Sequence, residues 1–387
     1  MKINRIVILA LVLITLLSQV AWASPFENIH TKAAILMVAD NGQILFKKNA
    51  NLKLPPASMS KLMTILLALE AVEKGEASLD DEVRISDLAE GMGGSQIWLA
   101  QGDLLTLRDL LKAVTISSAN DACVAVAEYI GETEYGFIEM MNNKARELGM
   151  ENTQFFNTTG LPNEGENNYS TVYDMAILAR ELVTNYPQVL KWSAQQVDYI
   201  KNNDLAIYTT NNLLSDYSYA TGLKTGWTEE AKFCLTATAS KDDTTLISVL
   251  MGAENDNDRT TATIKLLNYG FNAFNKVYLV NSQVKIKEVE VAKGKELKVE
   301  VETAQAFSPY ILRGTKDQIK QEIKITKSLE APIKKGELVG KLIFKQQGGK
   351  VLGQVDLQTA KDIKRANIFV LIFRWIKAFF MNLIYIE

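Results

Sequence analysis

Ser58 and Lys61 are the first residues of the chain whose types and spacing could do chemistry. They stand three positions apart in PPASMSKLMTILLALE, where two prolines precede an apolar run of helical period. Proline is accepted at a helix start and residues i and i+3 share a face, so we predict the Lys61 amine beside the Ser58 hydroxyl. A hydroxyl beside a base is a potential nucleophile. An ordinary capping serine followed by a solvated lysine gives the same pattern.

The base at such a site would have to be a lysine, because the sequence contains a single histidine. His30 precedes the first predicted strand, and we expect it to be exposed. A Ser-His-Asp mechanism or a zinc site needs a better placed imidazole. We therefore expect no metal and no cofactor. Cys123 and Cys234 could pair in an exported protein, but each lies in an apolar run, so we expect two buried free thiols.

The composition allows a large core and gives no sign of a nucleic-acid partner. The chain has 387 residues, comfortable for two domains, and 47% of them are hydrophobic. The net charge is -3 at pH 7. Since there is also no long basic block, we expect no nucleic-acid binding.

The N-terminus has the pattern of a secretory signal peptide over residues 1–23. Lys2 and Arg5 precede an apolar run, and Ala21-Trp22-Ala23 is a small-residue cleavage site. An uncleaved anchor is the alternative, although the apolar run is short for a membrane span.

The C-terminal residues 360–387 predict an amphipathic helix that lies on a membrane surface. Aromatic and aliphatic residues form one broad face, and Arg374 and Lys377 lie on the other side. A charge at mid-bilayer is costly, which argues against a spanning segment, whereas a basic arc opposite an aromatic face suits the interface. The alternative is a helix that packs on the protein's own core.

Between these ends the pattern predicts an α+β domain over residues 24–276. Two apolar runs around Asn41-Gly42 predict a hairpin, and helical patterns follow up to residue 185. Thr106 resembles a capping residue at the start of one of these helices. Apolar, Thr-rich runs between residues 217 and 251 predict antiparallel strands, followed by a last helix. The order indicates one antiparallel sheet with helices on its faces.

Residues 277–359 predict a small β-rich domain. Val and Ile alternate there with Lys and Glu, as in VKIKEVEVAKGKELKVEVE. Alternation of this kind is typical of strands with one buried and one exposed face.

Two more motifs follow Ser58-x-x-Lys61 in order: Ser118-Ala119-Asn120 in a predicted inter-helix loop, and Lys224-Thr225-Gly226 in a predicted strand. Each is weak alone, and the set in this order is specific. With PAS, SANDA, GLKTG, NKARELGM and STVYDMA, these motifs resemble the serine D-alanyl-D-alanine carboxypeptidases, the low-molecular-weight penicillin-binding proteins. The resemblance runs from the signal peptide to the terminal helix, and it implies a DD-peptidase/β-lactamase-like fold.

The resemblance implies a role for each motif residue. Ser58 would be the acylated nucleophile and Lys61 its general base. That role needs a lowered pKa on Lys61, from burial and from a nearby cation that Lys224 can supply. Ser118 would relay a proton to the departing D-alanine, and Asn120 would hold the substrate's peptide group.

The substrate's oxygen atoms are implied to bind at the third motif. The oxyanion would lie between the backbone N–H groups of Ser58 and Trp227. Thr225 and Arg259 would bind the terminal carboxylate, and Gly226 would line the same substrate site.

Four residues depart from the family pattern. Ser60 replaces the usual Thr, which we expect to be harmless, and Thr221 replaces a common Asp. Lys232 stands at a usual Gly, where we expect a change in strand geometry. Trp227 stands where His is frequent, and we expect it to reshape the leaving-group pocket.

The expected protein is an exported DD-carboxypeptidase on the outer face of the cytoplasmic membrane. It would remove the terminal D-alanine of peptidoglycan stem pentapeptides, and β-lactams would acylate Ser58. A class A β-lactamase is the rival chemistry, but no ExxLN-type loop follows the second motif. A DD-endopeptidase of crosslinks stays open. A penicillin-recognising sensor or cell-wall scaffold that does not turn over substrate also stays open. Lys232 is the one residue that favours this alternative.

Overall fold

The computed structural model describes residues 29–162, 164–325 and 328–384. The predicted signal peptide lies outside these residues. The described residues divide into two compact units. The first contains residues 29–37 and Phe46–Leu266, and the second contains Val38–Leu45 and the described residues from Leu267 onward.

The first unit is built on a five-stranded sheet of order β2-β1-β9-β8-β7. Its strands are β1 (Ala33–Val38), β2 (Ile44–Lys48), β7 (Ala220–Thr228), β8 (Lys232–Lys241) and β9 (Thr244–Ala253). The last three pair antiparallel, as their apolar, Thr-rich sequences predict. The hairpin predicted around Asn41-Gly42 is confirmed, with Gly42 at φ 71° in the turn.

Helices accompany this sheet, and the apolar run after Ser58 forms the most buried of them. A 3₁₀ turn at Ala57–Ser60 leads into α1, whose residues from Lys61 to Leu69 are all buried. A helix that is apolar on every side belongs in a core. The helices are α1 (Lys61–Glu73), α2 (Asp87–Glu90), α3 (Leu107–Ile116), α4 (Asn120–Gly131), α5 (Glu134–Glu147), α6 (Val172–Asn185), α7 (Val189–Ser193), α8 (Leu213–Asp216) and α9 (Asp256–Ala273).

Side-chain caps define several helix starts. Thr106 accepts a hydrogen bond from the Asp109 backbone N–H at 3.1 Å, which confirms the cap predicted for α3. Thr133 and Thr171 cap α5 and α6 in the same way. These caps fix where each helix begins relative to the loops that carry the motifs.

Two short antiparallel pairs were not predicted from the sequence. They are β3 (Glu82–Arg84) with β4 (Leu104–Thr106), and β5 (Val197–Ile200) with β6 (Leu205–Tyr208). Each strand has at most four residues, too few for a periodic pattern to emerge.

The second unit is rich in strands, as predicted. A six-stranded sheet has the order β14-β16-β17-β12-β11-β15, and β10 pairs with β13. Its core includes Val301, Phe344 and Leu357, which lie at alternate positions of their strands. The strands are β10 (Phe274–Lys276), β11 (Lys285–Ala292), β12 (Lys298–Thr303), β13 (Tyr310–Leu312), β14 (Lys320–Ile325), β15 (Leu329–Glu330), β16 (Leu338–Lys345) and β17 (Val351–Thr359).

The C-terminal helix, α10, spans Ile368–Ile384. The segment before it still belongs to the β-rich core, because Ile363 is 1% exposed and bridges to Ile333. The Arg374 guanidinium donates hydrogen bonds to the backbone carbonyls of Gly294 and Lys295, at 2.7 and 3.1 Å. Arg374 therefore ties α10 to the loop before β12. Within the described residues, no helix combines the length and apolarity needed to cross a membrane.

Candidate active site

Ser58 and Lys61 lie side by side at the start of α1. Ser58 is in the 3₁₀ turn, and Lys61 is the first residue of the α-helix. Lys61 Nζ lies 2.8 Å from Ser58 Oγ and donates a second hydrogen bond to the Thr159 carbonyl at 3.0 Å. An amine at this distance can exchange a proton with the hydroxyl.

The turn around Ser58 is tightly enclosed by two glycines. A Cβ atom on Gly226 would lie 2.7 Å from the Pro56 carbonyl oxygen, and one on Gly160 would lie 1.9 Å from that of Ala57. Gly160 also has φ 79°, a conformation that favours glycine. The absence of side chains at these positions lets β7 and the loop that contains Thr159 approach the turn around Ser58.

Two buried lysines meet at this site. Burial lowers the pKa of Lys61 from 10.5 to about 8, and the Asp121 carboxylate opposes that shift. Burial and then repulsion by Lys61 hold the pKa of Lys224 well below its ordinary value. Two positive charges repel each other at low dielectric, so protonation of both amines at once is unfavourable. Near neutral pH the pair therefore favours a single positive charge. One amine of the pair is thus neutral near neutral pH, and Lys61 beside Ser58 loses its own proton as the pH rises through about 8.

The second motif lies between α3 and α4. Ser118 is buried with φ 63°, a strained value for a residue with a side chain. Asn120 opens α4 and donates from Nδ2 to the Gly93 carbonyl at 2.6 Å. Its buried Oδ1 has no hydrogen-bond partner among the described residues. Such an orphaned acceptor needs an explanation, and a ligand N–H would supply one.

The third motif lies on β7, the edge strand of the sheet. Lys224 is buried and donates to the Thr225 carbonyl at 3.2 Å, while Thr225 Oγ1 lies 2.5 Å from Thr210 Oγ1. Trp227 is 57% exposed, and its ring centroid lies 6.1 Å from that of Phe233. The strand therefore presents one buried cation and one exposed aromatic ring.

Arg259 reaches the strand next to the third motif. It is 5% exposed, forms an ion pair with Asp256 and donates to the Cys234 carbonyl at 3.2 Å. Cys234 is the register partner of Gly226. The buried Nε of Arg259 has no hydrogen-bond partner among the described residues. A second orphaned group, this time a donor, thus lies near the motif.

The two cysteines are free and buried, as predicted. Cys123 Sγ lies 3.4 Å from the Thr158 carbonyl and 3.5 Å from Thr64 Oγ1. Burial is the first cause that raises the pKa of Cys123, so the thiol stays protonated near neutral pH.

Sequence analysis did not identify Asp121 as a functional residue, although it lies in the SANDA phrase. Its buried carboxylate accepts hydrogen bonds from the backbone N–H groups of Ile97 and Leu99, at 3.0 and 3.1 Å. The charged residue directly after Asn120 was the available signal. Asn168 was also missed: its Nδ2 donates to Ser60 Oγ at 2.9 Å, which gives the unusual Ser60 a buried partner.

Lys232, one of the departures from the family pattern, has an unusual backbone conformation. Lys232 opens β8 with φ 57°, in the left-handed region. Such values suit glycine, and a side chain there costs about 1–2 kcal/mol. Lys232 thus occupies a backbone conformation that suits glycine, the residue expected at this position of the family pattern. Thr221, the other strand departure, donates to Thr238 Oγ1 at 2.9 Å.

Comparisons with known proteins identify the family of the chain. A sequence profile of D-alanyl-D-alanine carboxypeptidases, peptidase family S11, matches residues 19–255. The chain belongs to this carboxypeptidase family. A second profile, for the C-terminal domain of penicillin-binding protein 5, matches residues 274–365.

Relatives of the carboxypeptidase family cover most of the chain. D-alanyl-D-alanine carboxypeptidase DacF of Bacillus subtilis (strain 168) is 40% identical over 349 residues, 89% of each chain. D-alanyl-D-alanine carboxypeptidase DacC of Escherichia coli (strain K12) is 33% identical over 88% of this chain and 86% of its own. Both alignments extend beyond the first unit.

Solved structures share the fold of this carboxypeptidase. Penicillin-binding protein 5 of Haemophilus influenzae superposes with a TM-score of 0.79 at 29% identity, over 87% of this chain and 98% of its own. Ampicillin-bound penicillin-binding protein D2 of Listeria monocytogenes has a TM-score of 0.59 at 31% identity, over 64% of this chain and 99% of its own.

Proposed function

We propose that this protein is a serine-type DD-carboxypeptidase that removes the terminal D-alanine of peptidoglycan stem pentapeptides through an acyl-enzyme on Ser58. The observation that carries the proposal is the 2.8 Å contact between Lys61 Nζ and Ser58 Oγ, with the pKa of Lys61 lowered to about 8. A base with such a pKa accepts a proton near neutral pH.

In the proposed acylation, each proton that one group releases is taken up by another. The Ser58 hydroxyl passes its proton to neutral Lys61, and Oγ attacks the carbonyl carbon of the penultimate D-alanine. The C–N bond breaks as a proton passes, through Ser118, to the departing amine of the terminal D-alanine. Water later attacks the ester carbonyl, which releases the shortened peptide and returns a proton to Ser58.

The substrate peptide is proposed to bind along β7. An edge strand offers free backbone groups to an extended peptide, so the Lys224–Trp227 segment suits pairing with the D-alanine end. The backbone N–H groups of Ser58 and Trp227 would stabilise the oxyanion, a contribution of about 3–4 kcal/mol per donor. Two buried polar atoms without a hydrogen-bond partner, Asn120 Oδ1 and Arg259 Nε, suit further contacts with the substrate.

The first orphan is Asn120 Oδ1, an acceptor for the substrate's peptide N–H. The second is Arg259 Nε, a donor that suits the terminal carboxylate together with Thr225 Oγ1. Burial lowers the pKa of Arg259, yet its ion pair with Asp256 favours the charged form that this role needs.

Penicillins are proposed to acylate Ser58 by the same steps. The Listeria relative was solved with ampicillin bound, and it shares the fold of the first unit. A β-lactam carbonyl would occupy the position of the scissile peptide carbonyl.

The protein is proposed to act outside the cytoplasm, held on the outer face of the membrane by α10. The support is the set of exposed aromatic side chains on that helix, of which Phe369, Phe373 and Trp375 are 77%, 68% and 69% exposed. Helices that expose aromatic side chains and nearby cations lie in the membrane interface. Of the two predicted cations, Lys377 is exposed, whereas Arg374 contacts backbone carbonyls.

Release of free D-alanine from an acylated tripeptide ending in Lys-D-Ala-D-Ala tests the proposal. We expect turnover by the wild type, and neither turnover nor fluorescent penicillin labelling for Ser58→Ala. Ser282→Ala is the matched control, because Ser282 and Lys285 repeat the spacing on an exposed segment. Labelling without D-alanine release would indicate a sensor. Labelling that survives Ser58→Ala would place the nucleophile elsewhere.

A further inference from the structure

Trp98 has an unusual backbone and an unusual exposure. Its φ is 61°, in the left-handed region, and its side chain is 81% exposed. Its neighbours Ile97 and Leu99 are both buried. The chain therefore turns an indole outward between two residues that point into the core.

The Asp121 carboxylate fixes the backbone on both sides of Trp98. It accepts hydrogen bonds from the backbone N–H groups on both sides of Trp98, those of Ile97 and Leu99, at 3.0 and 3.1 Å. Asp121 is 1% exposed, so these bonds form away from water, where a charge-assisted hydrogen bond is strong. The conformation of Trp98 is thus imposed by a buried charge.

Asn120 forms two hydrogen bonds with the N-terminal part of the same loop. Its Nδ2 donates to the Gly93 carbonyl at 2.6 Å, and its backbone N–H donates to the Ser95 carbonyl at 2.7 Å. Residues 93–99, here called the Trp98 loop, are therefore held by the two residues that begin α4. One of those residues is the proposed ligand of the substrate's peptide group.

Stability does not account for a tryptophan at this position. A bulky residue in the left-handed region is an outlier that costs about 1–2 kcal/mol, and glycine would adopt the same backbone without that cost. The exposed ring also buries little surface that could offset the strain. Residues strained in this way cluster at ligand-binding positions, so the outlier itself points to a ligand.

We propose that Trp98 determines substrate specificity by stacking on the pyranose ring of the amino sugar that bears the stem peptide. This inference rests on the proposed function, since it concerns another part of the same substrate. With the D-alanine end at Ser58 and Asn120, the rest of the substrate must pass over neighbouring loops. The Trp98 loop is bonded directly to Asn120.

The indole suits a sugar better than it suits a charged partner. It is flat, rigid and uncharged, and it offers a large apolar face with few side-chain torsions to order on binding. A pyranose presents C–H groups to such a face and hydroxyls to its rim. The exposed Ser95 hydroxyl lies in the same loop and can serve those groups.

Three substrates with the same D-Ala-D-Ala end test the proposal: an acylated tripeptide, the free pentapeptide, and that pentapeptide attached to its disaccharide. The quantity compared is the kcat/KM of the disaccharide substrate divided by that of the free pentapeptide. We expect Trp98→Gly to lower this ratio by about three- to ten-fold, the range for one aromatic contact. Trp98→Phe should retain most of it.

Controls separate this effect from misfolding and from failure of the proposed function. Trp98→Gly relieves the strained φ, so its thermal midpoint should not fall. Tyr278→Ala removes another exposed aromatic, 69% exposed in the second unit, and should leave the ratio as in the wild type. Wild-type turnover of the tripeptide tests the carboxypeptidase function by itself.

A binding measurement gives a readout independent of turnover. In a Ser58→Ala background, calorimetry should show that Trp98→Gly weakens binding of the disaccharide pentapeptide and not that of the free pentapeptide. The proposal is overturned if kcat/KM falls equally for all three substrates, which would indicate a purely structural role. It is also overturned if the loss is equal with and without the sugar, or if no loss occurs.

Discussion

Lys61 and Lys224 are two fully buried amines, close enough that the charge of one lowers the pKa of the other. Lysine is strongly hydrated, and burying two of them is unfavourable unless a proton is lost. The arrangement therefore favours one neutral amine in the pair, and Lys61 beside Ser58 becomes neutral as the pH rises through about 8. In the proposed function, Lys61 serves as the base in place of a histidine.

The first prediction concerns pH. Lys61 can accept a proton only when neutral, and its pKa in the folded protein is about 8. Acylation by a penicillin should therefore rise about ten-fold per pH unit below pH 8 and level off above it. Stopped-flow rates between pH 6 and 9.5 measure this. A rate that stays flat down to pH 6 would contradict the base role.

The second prediction is that Lys61→Arg slows acylation by about two to four orders of magnitude. Arginine keeps the positive charge but does not give up its proton near neutrality, so the general base is lost. The measurement is the rate of labelling by a fluorescent penicillin. Lys285→Arg, in the second Ser-x-x-Lys pattern, is the control and should label at the wild-type rate. Near wild-type labelling of Lys61→Arg would refute the assignment.

The third prediction concerns Lys232, whose φ is 57°. Lys232→Gly removes the side chain from a left-handed backbone, so we expect the free energy of unfolding to rise by up to about 1 kcal/mol. Thermal or urea unfolding of the first unit measures it. Lys241→Gly, at the other end of β8, should instead lower stability, because its φ is not positive. If both substitutions destabilise equally, Lys232 is not strained.

The fourth prediction concerns membrane binding by α10. A chain that stops after Asn367 keeps Ile363 in the β-rich core and loses the whole helix. We expect it to leave the membrane fraction and to keep its turnover of short peptides. Membrane association that persists after verified signal cleavage would place the anchor elsewhere.

Arg374 and Lys377 should behave differently in the same assay. Lys377→Glu should weaken binding to vesicles that contain anionic lipid, because Lys377 is exposed and free to approach headgroups. Arg374→Gln should release α10 from the Gly294–Lys295 carbonyls. Hydrogen exchange of that loop measures the release. Equal loss of vesicle binding in both variants would assign Arg374 to the lipid instead.

The sequence by itself determined the local structure around each motif. Proline before an apolar run predicts the helix start at Ser58, and a helical period places Lys61 on the same face. Asn41-Gly42 predicts the hairpin, and alternating Val and Lys predicts the half-exposed strands of the second unit. These features depend on neighbouring residues, so a linear pattern contains them. The three motifs in order also predicted the carboxypeptidase family.

Only the tertiary structure decided which distant residues meet. Nothing linear indicates that Lys61 lowers the pKa of Lys224, that Asp121 holds both amides around Trp98, or that Arg374 binds backbone carbonyls. These contacts follow from how β7, α4 and α10 pack. Backbone strain at Trp98 and Lys232 is likewise imposed by hydrogen bonds and strand pairing around them. The physical reason is that burial, Coulomb interaction and φ depend on three-dimensional neighbours, which sequence separation does not encode.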